Sequence, residues 1–567
     1  MGRSLASLPA ASTIERYDLS AHNPFDAAGF RYLVRREGEC VWHAETAADA
    51  GGPAPVRTEA EVRYAVGSGS NGRAYLIDRD GYLFASPITW YPRKQIWDLS
   101  PGYEKGNPRF GRPVTPDCLF CHANYADHVA GTVNRYRAPI FHGEAIGCER
   151  CHGPGELHVR RREANEPVDG LDNTIVNPAR LEPALREAVC QQCHLQGQQR
   201  ILRRGRSTFD FRPGLPLHLF VTELVKPPKY QGTKFVGSVE QMVASRCYQK
   251  SAGPNRLTCT SCHDPHELPA AERKVEYYRQ RCMECHKDHG CTLPLPDRLA
   301  TQKDDSCVAC HMQPTGSNII HTTIADHRIL RRPEAAPTPP ADDWPATADM
   351  PLVHFHRHLL DGPDPEVDRA LGLALVQLAE SQPAGVARLL AQRALPALDE
   401  ALGRDDADGD AWHAKGAALM RLNELDAAAA AYERALRAEP DRETTLYYAA
   451  DLYLLLGRTD AALAAAQRAV RVNPWRWEYY KVLAQAAGSR GAWPEALAAC
   501  EKALSLNAAD PAARWLKVVC HFRMGNRAEA EREFDTLMAL KPPGADRFRE
   551  MFAQESRRAG GGRPTGR

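Results

Sequence analysis

The sequence predicts a multidomain chain with a small β-rich amino-terminal module, a loop-rich and mostly α-helical middle domain, and an all-α solenoid. Three observations predict this order. Apolar and polar residues alternate near the amino terminus, one short cysteine and histidine motif recurs through the middle, and an alanine-rich period of 34 residues runs through the carboxy-terminal part. A chain of 567 residues is too long for one hydrophobic core, which agrees with several domains.

Residues 1–115 are predicted to form the β-rich module. Alternation of apolar and polar side chains is typical of short, half-buried strands, and it occurs at 30–36, 62–66 and 74–77. The segment 78–81, Asp-Arg-Asp-Gly, predicts a hairpin turn into a further strand at Tyr82.

Residues 116–330 carry one pattern six times: two cysteines three positions apart, followed at once by a histidine. The cysteine pairs are Cys118 and Cys121, Cys148 and Cys151, Cys190 and Cys193, Cys259 and Cys262, Cys282 and Cys285, and Cys307 and Cys310, and the histidines are His122, His152, His194, His263, His286 and His311. In c-type haem attachment two such thiols add to the vinyl groups of one porphyrin, and the histidine ligates the iron. Zinc ribbons and thioredoxin-like sites also pair cysteines at this spacing, but they need no histidine after each pair. The sequence therefore predicts six covalent haems and a domain whose core is largely porphyrin.

The iron of an electron-transferring haem usually takes a second axial ligand. That ligand must come from elsewhere in the chain, because the thioethers hold each motif on one side of its haem. The best candidates for this distal position are His158, His266, His321 and His327, and His158 and His266 follow a motif so closely that they would face a neighbouring haem. Further candidates are His128, His142, His218, His289, His354, His356 and His358. For each, the alternative is an ordinary exposed or hydrogen-bonded histidine.

Charge and composition bear on partners and location. The formal net charge is +1, which argues against nucleic-acid binding. The basic segment 200–206 is interpreted either as a partner for haem propionates, as a solvated loop or as a docking patch. No apolar run is long enough to span a membrane. Covalent haem attachment implies export, so we expect a periplasmic or otherwise extracytoplasmic protein whose signal peptide lies upstream of Met1.

Residues 331–364 begin with a proline-rich stretch and are predicted to be a semi-stiff linker. Residues 365–545 are predicted to form the solenoid, because alanine recurs every 34 residues at Ala394, Ala428, Ala462, Ala496 and Ala530. Together with Trp412, Gly416, Tyr432 and Pro440, this spacing matches the tetratricopeptide repeat. We expect four repeats over 409–542, a degenerate repeat before them, and a disordered tail at 546–567.

The sequence around two motifs, at 148–158 and 258–266, resembles multihaem cytochromes of the hydroxylamine-oxidoreductase-partner type. The whole layout is similar to bacterial multihaem cytochromes that carry carboxy-terminal tetratricopeptide repeats. This resemblance implies haems packed in parallel and perpendicular pairs, mostly with two histidine ligands. It also implies at least one further haem motif upstream of this chain.

Two functions follow as alternatives. In the first, six-coordinate haems pass electrons in series and the repeats dock a redox partner protein. In the second, one haem has an open distal position and reduces or oxidises a small nitrogen or sulfur oxyanion, with proton donors such as Tyr125, Lys229, Tyr230 and Tyr248. Because no motif departs from the common pattern, the electron conduit is favoured. A scaffold with purely structural haem ranks last.

Overall fold

The computed structural model describes residues 2–8, 13–47, 56–104, 106–226, 237–253, 256–287, 290–314, 325–331 and 352–560. The chain divides into two compact units: residues 1–147 with 398–567, and residues 148–397. This division differs from the predicted domains. The first Cys-x-x-Cys-His motif belongs to the unit that holds the β-rich module and the four repeats, whereas the other five motifs belong to the second unit.

The predicted β-rich module is confirmed, and it consists of antiparallel sheets. Its strands are β1 (Leu5–Ser7), β2 (Phe25–Ala27), β3 (Phe30–Glu37), β4 (Cys40–Ala47), β5 (Arg57–Val62), β6 (Tyr64–Val66), β7 (Ala74–Arg79), β8 (Tyr82–Ala85), β9 (Ile88–Tyr91), β10 (Ile96–Leu99) and β11 (Arg112–Pro113). One sheet has the order β2-β3-β4-β5, a second has the order β1-β6-β7-β8-β11, and β9 pairs with β10. The single strand expected at 62–66 is two strands, because the chain passes from one sheet to the other at Arg63.

The hairpin predicted at 78–81 is confirmed and joins β7 to β8. Asp80 and Gly81 both have positive φ, 55° and 84°, which a two-residue type I′ turn requires. The Asp78 carboxylate accepts a hydrogen bond from the Gly81 amide at 2.8 Å. Local sequence chemistry therefore fixes the register of this pair of strands.

An aromatic core fills the module. Inward-facing side chains of both sheets and of β9 and β10 form one buried cluster, which includes Tyr32, Val34, Tyr75, Ile77, Phe84, Trp90 and Trp97. His43 on β4 lies beside this cluster with no exposed surface. Its ring packs edge-on against Tyr75 and Trp97, and its Nδ1 lies 2.7 Å from the Ser86 hydroxyl.

We expect His43 to make the module sensitive to acid. Burial lowers the pKa of His43 to about 3, whereas the unfolded chain has an ordinary value near 6.5. Its contribution to stability is therefore complete above pH 6.5 and is lost as the pH falls towards 3, at a cost of about 2 kcal/mol between pH 7 and pH 5. Hydrogen exchange of peptides from β3 and β4, corrected for intrinsic rates, measures this loss. The His43→Gln variant should lose about 2 kcal/mol less unfolding free energy than the wild type over the same pH interval. An equal loss would show that His43 is not the source of the acid sensitivity.

The segment after the module continues the same unit. It contains α1 (Pro116–Phe120) and the hairpin of β12 (Ala126–His128) with β13 (Tyr136–Phe141). β11 pairs with β8, the Leu83 amide donates to the Asn134 carbonyl, and the Tyr136 amide donates to the Gly81 carbonyl. These backbone bonds explain why residue 115 is not a structural boundary.

The four predicted repeats are confirmed as helical hairpins. Their helices are α12 (Gly409–Leu422), α13 (Leu425–Ala438), α14 (Glu443–Leu455), α15 (Thr459–Val472), α16 (Trp477–Ser489), α17 (Trp493–Leu506), α18 (Pro511–Arg523) and α19 (Arg527–Ala539). Corresponding helices begin 34 residues apart. Ala428, Ala462, Ala496 and Ala530 have no exposed surface, and a Cβ added at Gly416 would lie 2.6 Å from the Tyr432 ring. Small residues thus allow the paired helices to pack closely.

The prediction of a disordered tail from residue 546 is wrong for residues 546–560, because the helix α20 (Ala545–Gly560) follows the repeats. Phe548 and Phe552 stand four residues apart on one helical face. Phe552 stacks on Phe534 with ring centres 4.0 Å apart, and Phe548 contacts Trp515. An aromatic stripe therefore continues the solenoid core for one more helix.

The second unit mixes short helices with one small sheet. Its elements are α2 (Glu149–His152), α3 (Glu156–Glu163), α4 (Pro183–His194), β14 (Gln199–Leu202), β15 (Val221–Val225), α5 (Ser238–Ala244), α6 (Arg246–Lys250), α7 (Lys274–His286), α8 (Leu295–Thr301), α9 (Cys307–His311), β16 (Val353–His354), α10 (Pro365–Ala379) and α11 (Ala384–Arg404), within which the division between units falls. The sheet order is β14-β15-β16, so the end of the predicted linker is a strand. The proline-rich part, 332–351, lies outside the described residues. No helix among the described residues is long and apolar enough to cross a membrane.

Candidate haem-attachment sites

All six motifs lie on helical turns. Five are at α1, α2, α4, α7 and α9, and the sixth is on the short 3₁₀ turn Cys259–Ser261. Residues three apart share one face of such a turn, so each cysteine pair projects to the same side and its histidine follows at the end of the turn. All twelve motif cysteines are free thiols, and none of them is fully buried. The donors of each site are therefore close together in the chain and open to a large ligand.

The part of the second unit around the last three motifs has almost no side-chain core. α7, α8 and α9 bury no residue, and Thr258 is the one buried residue in the described stretches 256–287 and 290–314. Large apolar side chains point to solvent there instead. They are Leu268, Met283, Leu293, Leu295 and Leu299. The described part of this segment therefore has polar contacts, such as those of Arg279 and Arg298 with Asp305, but almost no apolar core of its own. An apolar prosthetic group against the exposed side chains would supply one.

Three histidines of this unit are held in the tautomer that a metal needs. His152 Nδ1 lies 2.8 Å from the Val176 carbonyl, His311 Nδ1 lies 2.7 Å from the Leu330 carbonyl, and His327 Nδ1 lies 2.9 Å from the Ala325 carbonyl. A carbonyl only accepts, so each Nδ1 carries the proton and each Nε2 keeps its lone pair. This second hydrogen bond is the usual support of a metal-ligating histidine.

Two motif histidines each face a candidate distal histidine. The His152 and His266 rings are 6.0 Å apart between centres with 14° between their planes. The His263 and His327 rings are 6.2 Å apart with 27° between their planes. The sequence selected His266 and His327 as candidates, and the structure brings both of them to a motif.

The motifs of the second unit are neighbours in space. The Cys190 thiol is hydrogen-bonded to the Cys259 thiol, and the Cys282 thiol to the Cys307 thiol. Cys151 interacts electrostatically with Cys190, and Cys262 with Cys285. Each motif is thus close to the next one along the chain, from 148–152 to 307–311.

The other distal candidates are in varied surroundings. His158 Nδ1 lies 3.0 Å from the Asp172 carboxylate. His142 packs against Tyr125, and His128 packs against Tyr136. The His128 Nε2 is buried and has no hydrogen-bond partner in the part of the chain that the structure describes. His321 and His289 lie outside the described residues, as do Lys229 and Tyr230.

His218, His354 and His356 form a buried histidine cluster, although the sequence placed them only among the further distal candidates. His356 lies 6.1 Å from His218 and 5.8 Å from His354 between ring centres, and its Nε2 is 2.8 Å from the side chain of Gln191. Among the described residues, neither ring nitrogen of His354 has a hydrogen-bond partner. Burial lowers the pKa of His354 to about 4 and that of His356 to about 3, so both are neutral. The signal in the sequence was the alternation His-Phe-His, which would place both histidines on one face of an extended segment, although β16 itself ends at His354. No three donor side chains of the described residues are grouped so that they could hold a metal ion.

Three arginines of the basic segment 200–206 form ion pairs. At these positions the segment is therefore neither a solvated loop nor a free docking patch. Arg203 makes a two-pronged contact with Asp364, at 2.6 and 3.0 Å. Arg200 pairs with Glu223, and Arg204 pairs with Glu366. These ion pairs connect β14 to β15 and to the start of α10.

Comparisons with known proteins bear on the solenoid. Three tetratricopeptide-repeat family models match residues 409–442, 447–514 and 489–551, so this region is a tetratricopeptide-repeat domain. Similar solved structures include MamA from Desulfovibrio magneticus RS-1, which is 18% identical, covers 32% of this chain and 97% of its own, and has a TM-score of 0.29. YrrB, described as a tetratricopeptide-repeat protein with an unusual peptide-binding site, is 21% identical, covers 33% of this chain and 92% of its own, and has a TM-score of 0.28. No curated protein matches the chain.

Proposed function

We propose that this chain is a multihaem c-type cytochrome that passes electrons along a series of covalently bound haems. One observation carries the proposal. Six Cys-x-x-Cys-His motifs lie on helical turns, and the helices around the last three bury no side chain of their own. Porphyrin supplies the large apolar surface that such a segment lacks.

The residues fit the group by their chemistry. The twelve motif cysteines would hold haem by thioether bonds, and the six motif histidines would each present one imidazole nitrogen to an iron. His152 and His311 already keep the Nε2 lone pair because their Nδ1 protons are bonded to carbonyl oxygens. Bound haem iron supplies one-electron redox chemistry, and the chain sets its potential through ligands, burial and hydrogen bonds.

The order of the motifs favours a conduit over a set of separate centres. Contacts between the thiols of successive motifs, Cys190 with Cys259 and Cys282 with Cys307, place neighbouring attachment points side by side. Electrons could then pass from one haem to the next. The tetratricopeptide domain presents an extended surface of the kind that binds partner proteins, and we propose a redox protein as its partner. Because haem c is attached outside the cytoplasm, we also propose an extracytoplasmic location.

The test is haem content followed by spin state. The full chain, exported together with the haem-attachment machinery, should gain the mass of six haems, and the Cys282→Ala/Cys285→Ala variant should gain the mass of five. Electron paramagnetic resonance of the oxidised protein should show low-spin iron only. A high-spin signal that shifts with nitrite, hydroxylamine or sulfite would instead indicate the oxyanion-transforming enzyme, and a mass without haem would contradict both functions.

A further inference from the structure

We propose that two haem irons of this chain are completed across motifs. His266 supplies the distal ligand to the iron that His152 holds, and His327 supplies the distal ligand to the iron that His263 holds. The inference rests on the proposed function, because it requires haem at both motifs. It goes further by assigning each distal histidine to one particular iron.

The separation of the rings is the first argument. Two imidazoles that ligate one iron from opposite faces have ring centres roughly 6 Å apart, since each metal–nitrogen bond is about 2 Å and each ring centre lies about 1 Å beyond its nitrogen. The two pairs are at 6.0 and 6.2 Å. Parallel rings in direct face contact are closer, as Phe534 and Phe552 show at 4.0 Å. The histidine pairs are therefore spaced for an atom between them.

Tautomer and exposure give the second argument. Each pair has one member whose Nδ1 proton is bonded to a carbonyl, His152 in one pair and His327 in the other. That hydrogen bond leaves Nε2 as the donor atom for iron. The His266 side chain is 77% exposed, so hydrophobic burial does not hold it opposite His152. A ligand shared by the two imidazoles gives this arrangement a physical cause.

The backbone around His266 fixes its direction. Asp264 accepts hydrogen bonds from the amides of His266 and Glu267, at 2.8 and 3.3 Å, which makes a tight turn directly after the motif histidine. Pro265 stiffens the same turn. His263 and His266 are thus held three residues apart but directed to different irons.

This assignment makes the motif at 259–263 the junction of the series. Through His266 it reaches the iron of the motif at 148–152, and through Cys259 it contacts Cys190 of the motif at 190–194. Cys262 interacts with Cys285 of the motif at 282–286. Electrons moving from the haems at 148–152 and 190–194 towards those at 282–286 and 307–311 would pass this point, so the series has a branch as well as a linear order.

The test uses the exported full chain and the variants His266→Ala, His327→Ala and, as a control at a histidine that is no candidate ligand, the exposed His22→Ala. Haem content is measured first by mass: six haems in the wild type and in each variant are expected, and fewer in the wild type would overturn the proposed function itself. With six haems present, the first two variants should each convert one low-spin iron to high-spin, and added imidazole should reverse the change. The control should remain low-spin. Low-spin spectra in all variants would overturn the ligand assignment and leave the haem proposal standing.

A second measurement identifies the partner of His266 and does not depend on the stability of the alanine variant. His266→Met should keep one low-spin iron but give it histidine–methionine spectra and a higher potential. In a chain that lacks the haem at 148–152, through Cys148→Ala/Cys151→Ala, the same His266→Met change should leave the spectra of the remaining haems as they were. A new methionine-ligated signal in that background would assign His266 to a different iron and overturn the pairing.

Discussion

Without haem, the full chain should be cut by trypsin within residues 256–314, while the repeats stay intact. The described part of this stretch holds Lys274, Arg279, Arg281 and Arg298 on or beside helices that bury no side chain. Isolated helices need about 12–15 residues to be even marginally stable in water, and α8 and α9 have seven and five. In the haem-free chain, nothing is expected to protect these bonds.

The comparison is between the same chain produced with and without haem attachment. Cleavage tracks the population of the open form, so the haem-free chain should be cut in this segment at least about 100-fold faster than the haem-loaded chain. Bonds after Lys481 and Arg490, in the repeats, serve as the internal control and should be cut at equal rates in both forms. Equal resistance of 256–314 would mean that this segment has a polypeptide core, and the porphyrin-core interpretation would be wrong.

The features that the sequence predicted correctly are those with local causes. The turn at 78–81 follows from Asp and Gly at positions that need positive φ, and the repeats follow from small residues every 34 positions. The six Cys-x-x-Cys-His motifs are equally local, because five adjacent residues carry the whole pattern, but the haem attachment that they predict stays a prediction. Each of these predictions required no knowledge of which distant segments meet.

The features that it missed depend on distant pairings. β16 lies in a segment that composition marks as linker, and it becomes a strand only because it pairs with β15 more than 100 residues earlier. The tail helix α20 depends on the packing of Phe552 against Phe534, which lies on the preceding helix. The pairing of His266 with His152 is of the same kind: the sequence makes His266 a candidate distal ligand, but nothing near it identifies His152 as the ring that it faces. Only the three-dimensional arrangement reduces the candidates to pairs.

Loss of the Glu443 carboxylate should be the most damaging single change in the first unit. Glu443 begins α14 and has no exposed surface. One carboxylate oxygen accepts from the Tyr479 hydroxyl and the Asn473 amide, both at 2.8 Å, and the other accepts from the Val133 backbone amide at 2.8 Å. The Glu443 amide itself donates to the Gly131 carbonyl at 2.9 Å. One side chain thus connects two repeats to the segment that follows the first Cys-x-x-Cys-His motif.

Glu443→Ala removes the acceptor for two buried donors, the Tyr479 hydroxyl and the Asn473 amide, and for the half-buried Val133 amide. Each unsatisfied buried donor costs about 1–3 kcal/mol. We therefore expect the variant to lose at least about 2 kcal/mol of unfolding free energy, measured by hydrogen exchange of peptides from α14 and α16. Asp426→Ala is the matched control, because Asp426 also lies at the start of a repeat helix but forms an exposed ion pair with Arg458 at 2.8 Å. Exposed pairs contribute at most about 1 kcal/mol, so the control should change little. If both variants lost the same small amount of unfolding free energy, the buried hydrogen bonds of Glu443 would not stabilise the contact between the repeats and the segment after the first motif. The repeats would then be expected to unfold independently of that segment.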